Sequence, residues 1–275
     1  MQRIFQWLSD RPGFNIMLVL LYFILVVAPH KVFGTFLNAV VFKGITRDQY
    51  NLYVIIGATI ILLFYLIIFG KNVTRHPQRS KLLVLMGLNI LFAVLVVNLL
   101  FLINIESVHF PQYAVFAILI FPLIGNYTST LIWATIGGAI DEAYQYFYLA
   151  PLDTSYYDLN DVVTNLIGAV FGLLFLRSLS IAEKTNFSLK KTTAWYGIGI
   201  IALAIVLTHI SGLLSIYPNE DRRYHILREW PTGFWSMRKP EVYFHIVRPI
   251  EGLVIVLILF VIFHRISPST DARSS

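Results

Sequence analysis

Residues 51–69, NLYVIIGATIILLFYLIIF, decide the fold class of this chain. The stretch has no charged side chain, and it is about as long as the roughly 20 apolar residues that an α-helix needs to cross a bilayer. Composition extends this interpretation to the rest of the 275 residues, of which 57% are hydrophobic and only 13% are charged. Soluble domains are about 25% charged. The sequence therefore predicts a polytopic membrane protein.

Eight apolar runs are candidates for membrane helices, so we predict an all-α transmembrane bundle of about eight spans. The runs cover approximately residues 14–29, 51–69, 82–103, 109–124, 128–149, 158–177, 195–214 and 246–264. No repeat and no linker rich in Pro, Gly or Ser divides the chain, so we expect one membrane domain. Its parts are the first two spans in residues 1–81, a central core in 82–178, and the last spans in 179–275 with a long loop at 215–245.

The positions of lysine and arginine predict the orientation of the bundle. Basic residues cluster in one loop at Lys71, Arg75 and Lys81, and in another at Lys184 and Lys190. Because short basic loops stay in the cytoplasm, we expect both termini inside and loop 215–245 outside. Orientation in a bilayer also explains the net charge of +6 better than binding to nucleic acid does, so no nucleic-acid partner is expected.

Polar residues recur at helical spacing on three consecutive predicted spans. In the sixth span they follow steps of three and four residues, which is the spacing of one helix face. Span by span, the residues are His109 and Tyr113; Gly138, Glu142 and Gln145; and Asp158, Asp161, Asn165, Gly168 and Gly172. Ionisable groups within a span are costly and usually face the bundle interior or a cavity. We therefore expect these side chains to line one pocket open to the outside, with the glycines marking close helix contacts.

These three blocks resemble the VanZ-like family of bacterial membrane proteins. The family pattern reads roughly His-Phe-x-x-Tyr, then Glu-x-x-Gln, then Asp-x-x-Asp-x-x-x-Asn-x-x-Gly on successive helices. The matching residues are His109, Phe110 and Tyr113; Glu142 and Gln145; and Asp158, Asp161, Asn165 and Gly168. The resemblance covers about residues 82–178. It implies a multi-pass protein of the bacterial cytoplasmic membrane with a link to teicoplanin resistance, but it implies no known reaction.

The chain departs from the family pattern at two places. Ile105 and Glu106 stand where members commonly carry Asp-Lys, and Ser155 stands where they commonly carry an arginine. Without that arginine the pocket has an excess of negative charge. The external loop could balance it, because a guanidinium matches a carboxylate or phosphate. The candidate arginines of this loop are Arg222, Arg223, Arg228 and Arg238.

The long loop is also rich in aromatic residues, such as Trp230, Trp235 and Phe244. Amphipathic rings are favoured at the interface between lipid and water. We therefore expect a helix of this loop to lie flat on the lipid surface.

Three functions remain open. We favour a non-enzymatic protein whose pocket binds the head group of an envelope lipid, a sugar or a glycopeptide. The second is a membrane-embedded hydrolase or transferase acting on a lipid-linked substrate, with Glu142 as general base and His109 or Asp161 as its partner. In the third, a structural subunit of a membrane complex, Asp158 only caps its helix and the amides hold helices together. No nucleophile elbow, phosphate-binding glycine loop or paired-histidine zinc motif occurs, which favours binding over catalysis.

We expect no cofactor. The chain has no cysteine, which excludes disulfides and thiolate metal sites. A metal site made of His109, Glu142 and Asp161 is possible in ligand type, but the sequence does not fix the distances. The expected partners are membrane lipids and a lipid-linked envelope precursor or glycopeptide, and other membrane subunits are possible.

Overall fold

The computed structural model of the chain is mostly helical. It describes residues 2–27, 29, 36, 39–40, 43–102, 104–149, 156–183, 191–218, 223–229, 231, 233–239 and 242–267. The α-helices in this part of the chain are α1 (Gln2–Ser9), α2 (Pro12–Tyr22), α3 (Arg47–Val73), α4 (Arg79–Leu99), α5 (His109–Ile124), α6 (Tyr127–Tyr144), α7 (Leu159–Ser178), α8 (Lys191–Ile210) and α9 (Pro249–Phe263). The π-helical segments Phe23–Val27 and Gln145–Leu149 continue α2 and α6, and 3-10 turns occupy Asn104–Val108 and His264–Ile266.

Five helical segments within the described ranges are long and apolar enough to cross a membrane. They are Asp48–Val73, Arg79–Leu99, Ile105–Ile124, Leu159–Ser178 and Pro249–Ile266. A sixth is possible if Arg3–Ser9 and Pro12–Val26 form one span, although the pair is bent by 100°. The bundle is thus a helical one with several apolar helices, and the total of eight spans stays a prediction.

Two predicted spans correspond to helices that are less apolar or shorter than the rest. α6 begins with four consecutive hydroxyl residues and carries Asp141 and Glu142 near its end, so it is not among the five apolar segments. The apolar part of α8 is the shorter helix Tyr196–Ile210. The carboxylates that lower the hydropathy of α6 are also the residues that mark this helix as part of a site.

α7 lies at the centre of the bundle. In its most apolar part 83% of the residues are buried, compared with 6% in α3, which exposes most of its side chains. The neighbours that contact α7 are α3, α4, α5, α6 and α9. Exposed side chains of the outer helices are apolar, for example Phe64 and Val84. Lipid tails are as apolar as these side chains, so such faces need no protein cover in a bilayer.

Glycines let α5 and α6 approach α7 closely. A Cβ atom at Gly168 would lie 2.8 Å from the carbonyl oxygen of Phe110, and one at Gly172 would overlap the carbonyl of Ala114. On α6, a Cβ at Gly138 would lie 3.0 Å from the Cβ of Asn165. Small residues are what allow helix backbones to meet in membranes. The prediction that the glycine part of the α7 face is a helix contact is therefore confirmed.

The described residues of loop 215–245 form short strands rather than the expected flat helix. β1 (Leu214–Ser215) pairs in parallel with β2 (Tyr224–His225), and β3 (Ser236–Lys239) pairs antiparallel with β4 (Val242–Phe244). The loop carries Pro218, Pro231 and Pro240, each of which interrupts a helix. The fold is therefore mostly, but not entirely, helical.

Asn160 ties this loop to the start of α7. Its Nδ2 donates to the carbonyl oxygens of Leu100 and His245 at 3.1 Å and 2.8 Å, and its Oδ1 accepts from the backbone N–H of Val247 at 2.9 Å. We call this end of the bundle, where α7 begins, the loop end. The end of the loop is thereby fixed against the start of α7 and the residue that follows α4.

Candidate functional site

Three ionisable side chains meet inside the bundle at the loop end. His109 begins α5, Glu142 lies near the end of α6, and Asp161 lies in the first turn of α7. One ligand atom from each of the three lies within 4.8 Å of the other two. His109 and Glu142 are 2% and 3% exposed, and the side chain of Asp161 is 15% exposed. We call these three residues the polar cluster; it takes one member from each of the three predicted faces.

The ring of His109 is held in a fixed orientation. Its Nδ1 lies 2.8 Å from Oδ1 of Asn165, and its Nε2 lies 3.5 Å from Oδ2 of Asp161. An amide oxygen only accepts hydrogen bonds, so Nδ1 carries the ring proton and donates a hydrogen bond to Oδ1 of Asn165. The ring also stacks on Tyr113, with the ring centroids 6.3 Å apart. As a result, Nε2 is directed toward Asp161.

Tyr113 connects the polar cluster to a further carboxylate, Asp141. The hydroxyl of Tyr113 donates to Oδ2 of Asp141 at 3.3 Å, and both residues are fully buried. The sequence prediction omitted Asp141 from the pocket. Its position three residues after Gly138 and four before Gln145 places it on the same helix face, so the periodicity could have identified it.

Gln145 and Asp158 act mainly within their own segments. Gln145 is the first residue of the π-helical continuation of α6, and its Nε2 donates to Oε1 of Glu142 at 3.2 Å. Asp158 is the N-cap of α7, where its Oδ1 accepts from the backbone N–H groups of Asn160 and Asp161 at 3.1 Å and 3.3 Å. The helix-cap alternative that the sequence left open thus describes the geometry of Asp158.

Arg228 lies beside the segment that follows α6. Its guanidinium carbon is 4.3 Å from the ring centroid of Tyr146. The backbone of the preceding residue, Leu227, forms an antiparallel β-bridge with the backbone of Tyr156, two residues before the N-cap of α7. The loop therefore brings Arg228 to the loop end. Arg238 lies in β3 and its side chain lies outside the described atoms, while Arg222 lies outside the described residues.

Tyr157 is a second residue that sequence reasoning missed. Its hydroxyl donates to the carbonyl oxygen of Ala139 at 2.6 Å. Burial raises the pKa of Tyr157 well above its usual value, and the nearby carboxylates of Glu142 and Asp158 raise it further. The hydroxyl is therefore a neutral donor that bonds α6 to the segment preceding α7. No spacing rule points to this residue, because it lies outside the helices.

His245 forms another polar contact at this end of the bundle. Its Nδ1 lies 2.7 Å from the carbonyl oxygen of Phe234, and its Nε2 lies 2.8 Å from Oε1 of Glu251 in α9. Its backbone N–H donates to the carbonyl oxygen of Leu99. These contacts join the loop to α4 and α9.

The arrangement has a definite chemistry. The polar cluster presents an imidazole nitrogen and carboxylate oxygens, which accept hydrogen bonds from hydroxyl or ammonium groups and can also bind a cation.

No protein-family model matches the chain, and neither a curated protein nor a solved structure matches it.

Proposed function

We propose that the chain is a VanZ-like protein of the bacterial cytoplasmic membrane whose polar cluster binds a polar head group. The ligand would be an envelope lipid, a sugar or a glycopeptide-type molecule. The observation that carries this proposal is the meeting of the buried His109 and Glu142 with the half-buried Asp161 inside a bundle of mostly apolar helices. Ionisable groups in membrane segments are expensive, and a bundle that retains them usually uses them to bind or transfer something.

A ligand would also satisfy a polar atom next to the polar cluster. Nδ2 of Asn165 is fully buried and has no hydrogen-bond partner among the described residues. A buried donor without a partner costs about 1–3 kcal/mol. An oxygen of a sugar or head group at this position would recover part of that free energy.

The surroundings suit a molecule that carries negative charge as well as hydroxyl groups. Arg228 lies over Tyr146 at the loop end, and a guanidinium pairs with carboxylate or phosphate through two parallel hydrogen bonds. In the predicted orientation the loop end faces outward. Glycopeptides and lipid-linked envelope precursors would then reach the site from the outer side, in line with the teicoplanin link that the resemblance implies.

The test compares Glu142→Gln with the wild-type protein. Glutamine keeps the shape and an acceptor oxygen for Gln145 but removes the charge. We expect the variant to fold with a similar Tm, to lose copurifying lipid in mass spectrometry, and to give cells a lower teicoplanin tolerance. Glu106→Gln is the matched control, because Glu106 accepts from the backbone of Leu102 outside the polar cluster. A folded Glu142→Gln protein with unchanged lipid content and tolerance contradicts the proposal.

A second candidate is a membrane-embedded hydrolase or transferase. The observation that favours it is the unprotonated Nε2 of His109, the form that a general base needs, which lies 3.5 Å from Oδ2 of Asp161, a second acid–base group. This function predicts release of product from a lipid-linked sugar by the wild-type protein and none by His109→Gln. Binding without any release supports the head-group function instead.

A further inference from the structure

We infer that the polar cluster is a binding site for a divalent transition-metal ion, with Zn²⁺ as the first candidate. One ligand atom from each of His109, Glu142 and Asp161 lies within 4.8 Å of the other two, and Nε2 is the ligand from His109 because Nδ1 is bonded to Asn165. This inference goes beyond the head-group function and does not depend on it.

The distances suit a small ion. Tetrahedral Zn²⁺ bound at about 2.0–2.1 Å separates neighbouring ligand atoms by about 3.3 Å. Nε2 of His109 lies 3.5 Å from Oδ2 of Asp161, so these two atoms are already near that spacing. A carboxylate oxygen of Glu142 lies within 4.8 Å of the other two ligand atoms, and rotation about its side-chain torsions would bring it to bonding distance of an ion between them. The partial exposure of Asp161 leaves one side of the ion open to water or a ligand.

Neighbouring amides orient two of the three ligands. Oδ1 of Asn165 accepts a hydrogen bond from Nδ1–H of His109. Nε2 therefore carries no proton, and its lone pair is directed into the polar cluster. Gln145 donates to Oε1 of Glu142. Histidines that bind metals are typically held in this way, by a hydrogen bond from the opposite ring nitrogen that fixes both tautomer and orientation. This second observation is independent of the distances between the ligand atoms.

The ligand set selects the class of ion. One imidazole with two carboxylates suits Zn²⁺, Mn²⁺ or Fe²⁺, whereas Ca²⁺ and Mg²⁺ prefer oxygen ligands alone. Charge favours an ion of this kind as well. Glu142 and Asp161 bring two carboxylates into a mostly buried site, and a divalent cation balances both.

The experiment measures metal content directly. The full-length protein is purified in mild detergent without a nickel column, stripped with EDTA, dialysed and titrated with ZnCl₂. Elemental mass spectrometry should find about one bound Zn²⁺ per chain. Co²⁺ bound in place of Zn²⁺ should give d–d absorption bands in the visible range. His109→Gln and Asp161→Asn should each weaken Zn²⁺ binding at least tenfold, and Asp158→Asn should not, because Asp158 caps the helix and asparagine caps equally well.

Thermal stability separates loss of metal from loss of fold. Zn²⁺ should raise the Tm of the wild-type and Asp158→Asn proteins but not that of a folded Asp161→Asn protein. The inference is overturned if the folded wild-type protein takes up no Zn²⁺ or Co²⁺, or if the ligand variants bind them equally well. If a ligand variant fails to fold, the wild-type titration and the Co²⁺ spectrum still decide. A wild-type protein that binds Zn²⁺ but copurifies with no lipid would contradict the head-group function alone.

Discussion

A carboxylate inside a membrane bundle depends on its hydrogen-bond donors, and Tyr113 supplies one to Asp141. Single residues of this kind decide whether the polar face of α6 is tolerated between helices. The partners come from different helices, so they also fix the helices relative to one another. At this scale the spacing of the sequence identified Tyr113 but not its partner.

We expect Tyr113→Phe to destabilise the protein by about 1–3 kcal/mol, because the ring stays while Asp141 loses a buried hydrogen bond. Thermal or denaturant unfolding in detergent measures the effect. Tyr148→Phe is the control, since the side chain of Tyr148 is 73% exposed and should contribute little. Equal stability of the two variants would show that the hydroxyl of Tyr113 does not hold Asp141.

His76 predicts a dependence of stability on pH. It lies between α3 and α4, where burial lowers its pKa and the guanidinium of Arg177 lowers it further. Its Nδ1 accepts from the backbone N–H of Gln78 at 3.0 Å, which also requires the neutral ring. A lowered folded-state pKa means that the unfolded chain binds the proton more readily. Stability is therefore complete above about pH 6.5, the ordinary pKa of histidine, and falls as the pH drops below it.

The measurement is the Tm of the wild-type protein and of His76→Gln between pH 8 and pH 5. We expect the variant to lose less Tm on acidification than the wild type. His264→Gln is the control, because the side chain of His264 is exposed. A wild-type profile no steeper than that of His76→Gln would rule out this histidine as a source of the dependence.

Among the elements, α7 carries the largest share of the architecture. Its start holds the cap, the hydrogen-bonded Asn160 and a member of the polar cluster, and its second half holds the glycines that admit α5. A substitution at one of these glycines that displaces α7 would therefore also displace the polar residues at its start. The two parts are separate in chemistry but share one rigid helix.

Gly172→Ala tests this coupling. Its methyl group would overlap the carbonyl of Ala114, so α5 and α7 must move apart. We expect a loss of about 1–3 kcal/mol in stability, which is typical of overpacking, together with weaker ligand or metal binding in the polar cluster. Gly87→Ala on α4 is the matched control, because a Cβ there meets no atom within 4 Å. If Gly172→Ala is as stable as the control, the close contact does not position α5.

The helices and the strands differ in how far the sequence predicts them. The predicted run 109–124 corresponds to α5, and the run 158–177 lies within one residue of α7 at each end, since an apolar run bounded by polar residues sets a membrane helix. The faces that hold His109 and Asn165 follow from helical spacing. The strands near His245 do not, because they depend on contacts with Leu99 and Asn160, which are distant in sequence.

Over the whole molecule, the polar cluster with its carboxylates and a group of basic side chains lie at opposite ends of the bundle. Carboxylates gather at the loop end, and basic side chains, among them Lys81, Arg177 and Arg265, lie near one another at the other end. This asymmetry is the basis of the predicted orientation, because basic residues remain in the cytoplasm.

Single cysteines test the orientation, because the chain has no native cysteine. Glu229→Cys lies in the long loop and Thr74→Cys lies between α3 and α4, and both positions are exposed. An impermeant thiol reagent on intact cells should label the first and not the second. Labelling of Thr74→Cys under these conditions, with Glu229→Cys unlabelled, would reverse the orientation. Lysed cells, in which both should react, provide the control.

The central position of α7 has a consequence for how the protein is made. A segment that carries Asn160, Asp161 and Asn165 partitions into lipid less readily on its own than the more apolar α3 does. It emerges from the ribosome after α3, α4, α5 and α6, four of the helices that contact it. α7 therefore leaves the translocon most favourably by moving directly into the space between them, where its polar groups meet partners instead of acyl chains. α9 is synthesised after α7, and its arrival adds a further neighbour to α7.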